Sequence, residues 1–270
     1  MSTELRQLAV TGTPYEIGYQ LGLAGRDAAH ELLLGASYWS AVIHPRHRST
    51  VARLGQATQA RFPAIWAELQ GLADGLDLPF QDVLAWNCRG DLLDNTADGC
   101  TTVQLPGPTP CIAHNEDGLP GFRGHAFLAH IAPISAPGFT AFCYPGSVPG
   151  HTFAATQTGL AQAVNNMRLI GIAPQIPRMV LGRALLTCRS LDDAVALLMD
   201  GPHCGGFHMT LAQSGDPRLL SVEFGAGACA IRRIDRAMLH ANHALHLNVP
   251  QIVTQSSRDR QARGQALRAM

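Results

Sequence analysis

Cys100 directly follows Gly99, and a cysteine in that position can break its own peptide bond. The sulfur can reach the Gly99 carbonyl carbon from the near side and move the acyl group from nitrogen to sulfur, and glycine tolerates the twisted backbone this attack needs. Hydrolysis of the thioester would leave Cys100 with a free α-amino group, whose ordinary pKa of roughly 7.7–8.0 lies close to working pH. That amine can take the proton of its own thiol, directly or through a water, so nucleophile and base become one residue. Taken alone, a cysteine after a glycine is most simply a small buried hydrophobe. The residues around and beyond it are what raise Cys100 above that reading.

They are Asp98-Gly99-Cys100-Thr101-Thr102, then Ala113-His114-Asn115-Glu116-Asp117, then Gly159-Leu160 with Asn165-Asn166-Met167-Arg168, then His240-Ala241-Asn242-His243. In this order and spacing the chain resembles the acyl-coenzyme A:6-aminopenicillanic acid acyltransferase family, from its N-terminal helix to about Arg258. The motifs are short one by one and specific together. The resemblance implies an N-terminal nucleophile hydrolase, an α+β fold built as a four-layer αββα sandwich, in a family holding both acyltransferases and amide hydrolases.

Carried over residue by residue, it implies Cys100 as nucleophile and Asp117 as the carboxylate that orients the freed amine and supports cleavage. Asn242 is implied as an oxyanion donor, a role in which one side-chain N–H contributes ~3–4 kcal/mol to an acyl-transfer transition state. Gly99, Cys100 and Thr102 form the processing junction, with Thr102 aligning the scissile bond. Asn165 matches the family's asparagine, its neighbour Asn166 competes for the same position, and Arg258 resembles a supporting arginine. Locally, Asp117 before Gly118 also reads as a turn carboxylate, and Asn242 in a strand-like run as a packed polar residue or a bulge.

Composition narrows the alternatives. All twenty basic residues are arginine, which removes Schiff-base chemistry, pyridoxal phosphate attachment, a P-loop lysine and a Ser-Lys dyad. No cofactor is called for. Twenty acidic residues balance the charge, so nothing marks a nucleic-acid or anionic-membrane surface, and no apolar run approaches the ~20 residues that span a bilayer. The N-terminus lacks a secretory pattern and the seven cysteines are irregularly spaced, which fits a reduced cytoplasm. Cys88, Cys111, Cys143, Cys188, Cys204 and Cys229 are expected to be buried thiols. His240, His243 and His246 are spaced by three, yet on a strand the middle one would face away and no HExxH glutamate accompanies them, so no metal site is expected.

The elements that must hold these residues divide at Cys100. Upstream, helices are expected over Pro14 to about Ala41 with Thr13 as N-cap, over Ser49–Leu76 with a break at Phe62-Pro63, and over Pro79–Trp86. Downstream, short strands are expected near 101–105, 110–114, 125–132, 138–143 and 151–156. Helices follow over Pro174–Cys188 and, capped by Ser190, to Leu198; strands then return near 206–213, 218–224, 228–234 and 237–242. A last amphipathic helix, Arg258–Met270, ends without a stop signal, and members of the family usually run further, so the chain is read as short or incomplete. The expected organisation is a helical fragment, 1–99, and a sheet-bearing fragment, 100–270, which stay associated after cleavage as one intimate domain.

The function expected is a self-processing cysteine amidohydrolase acting on a linear amide through an acyl-enzyme thioester. The alternative is an acyltransferase that passes the acyl group of coenzyme A or an amide to an amine acceptor. A metal-dependent hydrolase or a non-catalytic binding protein stands further off. The partners expected are a small-molecule amide or thioester and, for transfer, an amine.

Overall fold

Thr13 stops the first strand and starts the first helix: its hydroxyl accepts from the Glu16 N–H while the Glu16 carboxylate accepts from the Thr13 N–H, with Pro14 in the first turn. This reciprocal cap satisfies two backbone donors that a helix end would otherwise leave open. The computed structural model describes residues 5–93 and 99–268; Asp98 lies outside them. The elements run β1 (Arg6–Gly12), α1 (Pro14–Ala28), α2 (Ser37–Val42), α3 (Arg48–Arg61), α4 (Pro63–Leu76), α5 (Phe80–Asn87), α6 (Arg89–Leu92), β2 (Gly99–Leu105) and β3 (Cys111–Asp117). They continue with β4 (Phe127–Pro133), β5 (Phe139–Cys143), β6 (Phe153–Thr156), β7 (Leu160–Met167), α7 (Arg178–Leu185), α8 (Leu191–Met199), β8 (Gly206–Gln213), β9 (Leu219–Gly225), β10 (Ala228–Arg233), β11 (Met238–His240) and α9 (Gln255–Arg268).

The fold is mixed α+β, with an eight-stranded sheet in the order β1-β4-β5-β6-β7-β8-β9-β10 and a three-stranded sheet in the order β11-β2-β3. Among the strand pairs of the described residues only β1–β4 is parallel. The large sheet and the helices close over the main apolar core, to which Ile17, Leu69 and Leu72 contribute from helices and Ala129, Val164 and Met209 from strands. Helices α1 and α4 cross at backbone contact. A Cβ built on Gly18 would lie 1.9 Å from the Glu68 carbonyl oxygen, and one on Gly71 would lie 1.9 Å from that of Tyr15. Behind this crossing the Arg183 guanidinium of α7 grips both carboxylate oxygens of the buried Glu68, at 2.8–3.0 Å.

Several expectations need correction. The region upstream of Cys100 is not wholly helical, because β1 joins the large sheet, paired with β4. The first helix stops at Ala28, passes through a wider turn over Ala29–Leu33 and restarts at Ser37 after a turn containing Gly35. Strand β7 has no counterpart in the sequence reading. It carries Asn165 and Asn166, residues disfavoured in strands, and is almost wholly buried, which erases the alternation that marks a one-sided strand. Helix α7 begins only at Arg178, because Pro177 is its N-cap in extended conformation. The strand expected to reach residue 242 ends at His240, so Asn242 lies just beyond it. Helix α9 starts at Gln255, earlier than expected. The break at Phe62-Pro63 and the Ser190 cap fall where expected, the latter with a capping box to Asp193.

Candidate active site

Register between β2 and β3 builds the site. Cys100 pairs with Glu116, Thr102 with His114, and Gly99 with Asp117. Side chains alternate along a strand, so Cys100, Thr102, His114 and Glu116 share one face of the ribbon, while Gly99 and Asp117 belong to the other. On the first face the thiol donates to Glu116 Oε2 at 3.5 Å, and His114 Nε2 stands 3.1 Å from that same oxygen. His114 Nδ1 lies 2.8 Å from the Thr102 hydroxyl, which in turn donates to Asn165 Oδ1 at 2.6 Å.

The main chain of Cys100 is held separately. Its N–H donates to Asn242 Oδ1 at 2.9 Å, and the Arg260 guanidinium donates to the Cys100 carbonyl, to Thr101 Oγ1 at 2.9 Å and to Asn242 Oδ1 at 2.6 Å. Asn242 is fully buried, and its amide nitrogen donates to the Asn166 carbonyl at 3.1 Å. Exchanging the amide's oxygen and nitrogen would face its NH2 with two donors, so Arg260 and Cys100 fix which way it points.

These positions refine every residue named from the sequence. Cys100 and Asn242 are together. Asn242 presents its oxygen to the Cys100 nitrogen and its NH2 to the Asn166 carbonyl. Asp117 is exposed, accepts from Asn115 at 2.6 Å and flanks Gly99; the carboxylate at the thiol is Glu116. A Cβ at Gly99 would stand 3.3 Å from Asp117, 3.4 Å from Arg260 and 3.7 Å from Asn242, so a glycine leaves the junction open to all three. Thr102 is buried and links His114 to Asn165; the hydroxyl that shares Arg260 with the Cys100 carbonyl is that of Thr101.

Asn165 and Asn166 both take part. Their side chains leave opposite faces of β7, that of Asn165 toward Thr102 and that of Asn166 toward Arg178. Arg258 is exposed and outside this set of contacts; Arg260 occupies the site instead. Two residues turn a helix by about 200°, so the two arginines cannot share a face. Sequence reasoning missed Glu116, His114 and Arg260. The pairing of Cys100 with Glu116 was the signal, and it becomes visible only once the hairpin register is known.

Behind Asn165 the network enters the large sheet. His208 Nδ1 lies 3.0 Å from Asn165 Oδ1 and its ring stacks on that of His240, with centroids 3.4 Å apart and planes within 3°. Burial pushes His208 well below the ordinary histidine range, with the neighbouring histidines acting in the same direction, and so keeps it neutral. His240 meets Glu223 at 2.9 Å. Burial opposes charge on Glu223, but the bond and charge of His240, with the N–H groups of Leu245 and Leu247, outweigh it and hold its pKa at about 2. Of the histidines spaced by three, the His240 and His246 rings are 6.4 Å apart, and His243 and His246 bond Ser257 and Ser221.

Among the described residues, the cluster with metal-ligand geometry lies elsewhere: Cys100, His114 and Glu116 offer ligand atoms within 4.8 Å of one another. Cys111 is exposed on edge strand β3 and Cys229 is half-buried, contrary to expectation; the other four non-junction cysteines are buried. Burial pushes Cys188 and Cys229 up to about 11, leaving them protonated and unreactive.

Cys100 and Glu116 open onto a cavity of about 40 Å³ walled by Trp86, Phe122, Tyr144 and Phe207. A buried thiol preceded by glycine, its N–H and carbonyl each held, beside a carboxylate and an aromatic cavity, is an arrangement for acyl chemistry. The family description acyl-coenzyme A:6-aminopenicillanic acid acyl-transferase matches residues 105–269. The chain belongs to this family. A β-alanyl-dopamine/carcinine hydrolase of Drosophila melanogaster is 26% identical over 220 residues, covering 72% of this chain and 57% of that protein. The 40 kDa form of an acyl-coenzyme A:6-aminopenicillanic-acid acyltransferase of Emericella nidulans is 25% identical over 174 residues, covering 60% of this chain and 47% of that one. The chain therefore spans about half the length of these relatives. Family and relatives support hydrolase or acyltransferase chemistry. Among the described residues no helix is long and apolar enough to cross a membrane.

Proposed function

We propose that the chain is a self-processing cysteine N-terminal nucleophile enzyme that cuts between Gly99 and Cys100 and then hydrolyses a linear amide. The observation that carries this reading is the double hold on Cys100: its nitrogen on Asn242 at 2.9 Å and its thiol on Glu116 at 3.5 Å. In the uncut chain the α-nitrogen is an amide and cannot act as base, so the thiol proton passes to Glu116 as sulfur attacks the Gly99 carbonyl. The C–N bond breaks, the nitrogen gains a proton, and water then hydrolyses the Gly99 thioester. After the cut, Asn242 Oδ1 holds the new amine and directs its lone pair toward the thiol, while Asp117 and Arg260 flank the departed Gly99.

In turnover the acyl group of an amide moves to Cys100 sulfur, the amine leaves with a proton, and water releases the acid. The name of the Drosophila relative describes hydrolysis of a β-alanyl amide, which favours water over an amine as acceptor. The aromatic walls suit a substrate with one flat apolar end. Transfer from coenzyme A or an amide to an amine acceptor is the second reading, favoured by the name of the Emericella relative.

The β2–β3–β11 sheet bonds the face of β7 opposite α7, through Thr102–Asn165, and α9 covers it through Gln261 and Arg260. This order supports a helix–sheet–sheet–helix arrangement. Fragments 1–99 and 100–270 stay associated because β1 pairs with β4 across the cut. Denaturing mass measurement with N-terminal sequencing tests the proposal. It expects a second fragment beginning Cys-Thr-Thr, absent in Cys100→Ala; an unbroken wild-type chain with full amidase activity overturns it.

A further inference from the structure

The hydrogen bonds around His114 leave one proton position open to competition. Thr102 gives its proton to Asn165 Oδ1, which only accepts, so the Thr102 oxygen must accept from His114 Nδ1–H. His114 Nε2 then presents a lone pair toward Glu116 Oε2, itself an acceptor, at 3.1 Å. Two acceptors at that distance hold either a shared proton or a metal ion between them, and the Cys100 sulfur is 3.5 Å from the same oxygen. A tetrahedral zinc ion with bonds of about 2.0–2.3 Å sets its ligands about 3.3–3.8 Å apart. The Cys100–Glu116 separation of 3.5 Å falls in that range, the His114–Glu116 separation of 3.1 Å lies just below it, and all three ligand atoms stand within 4.8 Å of one another on a paired two-stranded ribbon.

We propose that Cys100, His114 and Glu116 form a binding site for a thiophilic divalent cation of the zinc class, and that the ion holds the nucleophile inactive. The donor set of thiolate, imidazole and carboxylate selects zinc over magnesium or calcium. The bond from His114 Nδ1 to Thr102 orients the ring and leaves Nε2 for the metal, as ligand histidines require. A fourth, water ligand has room in the cavity that Cys100 and Glu116 line. On binding, the thiol proton and the proton shared by His114 and Glu116 leave to solvent; no bond to carbon changes and nothing is oxidised or reduced. The ion engages the sulfur lone pair that would attack Gly99, a consequence that rests on the self-processing reading above.

Cobalt(II) is the probe, since its thiolate complexes absorb strongly in the near ultraviolet. The full chain should bind one Co²⁺ with a thiolate-to-cobalt band that Zn²⁺ displaces. The band should vanish in Cys100→Ala and persist in Cys111→Ser, which removes the exposed thiol. Zinc affinity should fall about tenfold or more in His114→Gln and in Glu116→Gln, each checked for native far-ultraviolet circular dichroism. A band that survives Cys100→Ala, or no band in wild type, overturns the site. Saturating Zn²⁺ should halt appearance of the Cys-Thr-Thr terminus and a chelator should restore it; cutting at an unchanged rate overturns the inhibitory role. A chain that binds Co²⁺ through Cys100 yet never cuts without metal would leave the site standing and sink the self-processing reading.

Discussion

Glutamine in place of Glu116 keeps the size of the side chain but removes the basic oxygen that receives the Cys100 thiol. General base groups contribute about 10²–10⁴-fold, so Glu116→Gln should slow the Gly99–Cys100 cut by about 10²-fold or more, timed by mass spectrometry on freshly made protein. Asp117, exposed and beside Gly99, belongs to the other face of the ribbon, so Asp117→Asn should leave the thiol's partner in place. The two arginines of α9 offer a sharper contrast. Arg260→Ala removes a charge that touches Asn242, Thr101 and the Cys100 carbonyl, and should slow processing; Arg258→Ala should leave it at the wild-type rate. Equal rates for the two variants would refute the placement of Arg260.

At the scale of elements, the α1–α4 crossing and the helix caps bear most directly on stability. Gly71→Ala would push a methyl group onto the Tyr15 carbonyl, and neither backbone can retreat without separating the helices. Overpacking of this kind costs about 1–3 kcal/mol or more, and a denaturant midpoint lowered accordingly is the measure. Ser190→Ala removes half of a reciprocal cap on α8 and should cost about 1 kcal/mol by the same measurement. The cap was legible in the sequence because it is local, a serine three residues before an aspartate. The glycine crossing was not, because it depends on which helix α1 meets. Strand β7 escaped for a related reason: burial on both faces replaces alternation with continuous apolar and amide side chains, a pattern with no period.

Across the whole molecule, buried charge sets the acid limit. Glu223 is held at about 2, against an ordinary value of 4.5. A depressed carboxyl stabilises the folded state above its unfolded pKa, and that stabilisation drains away as pH falls from near 4.5 toward 2. The difference amounts to about 3 kcal/mol. Denaturant titrations stepped through this range should show wild type losing stability that Glu223→Gln never had; parallel curves for the two proteins would contradict the depressed pKa. Cutting at Gly99 should leave the molecule whole, since β1 pairs with β4 and α4 bonds α7 across the junction. Size-exclusion chromatography of processed protein in native buffer should return one peak containing both fragments.

By itself the amino-acid order determined the family, the absence of lysine chemistry, most of the strands after Cys100 and the capped helices, and it singled out Gly99–Cys100 as the junction to test. All of these depend on neighbours along the chain or on residue type. Tertiary structure alone decided which carboxylate meets the thiol, which arginine reaches Asn242, and that Asn165 and Asn166 serve opposite faces of one strand. The physical reason is register. A shift of one residue in β3, or of two in α9, exchanges the groups that face Cys100 for groups that face away. Such a shift changes nothing in local composition, and only the packing of β2 against β3, β7 and α9 distinguishes the outcomes.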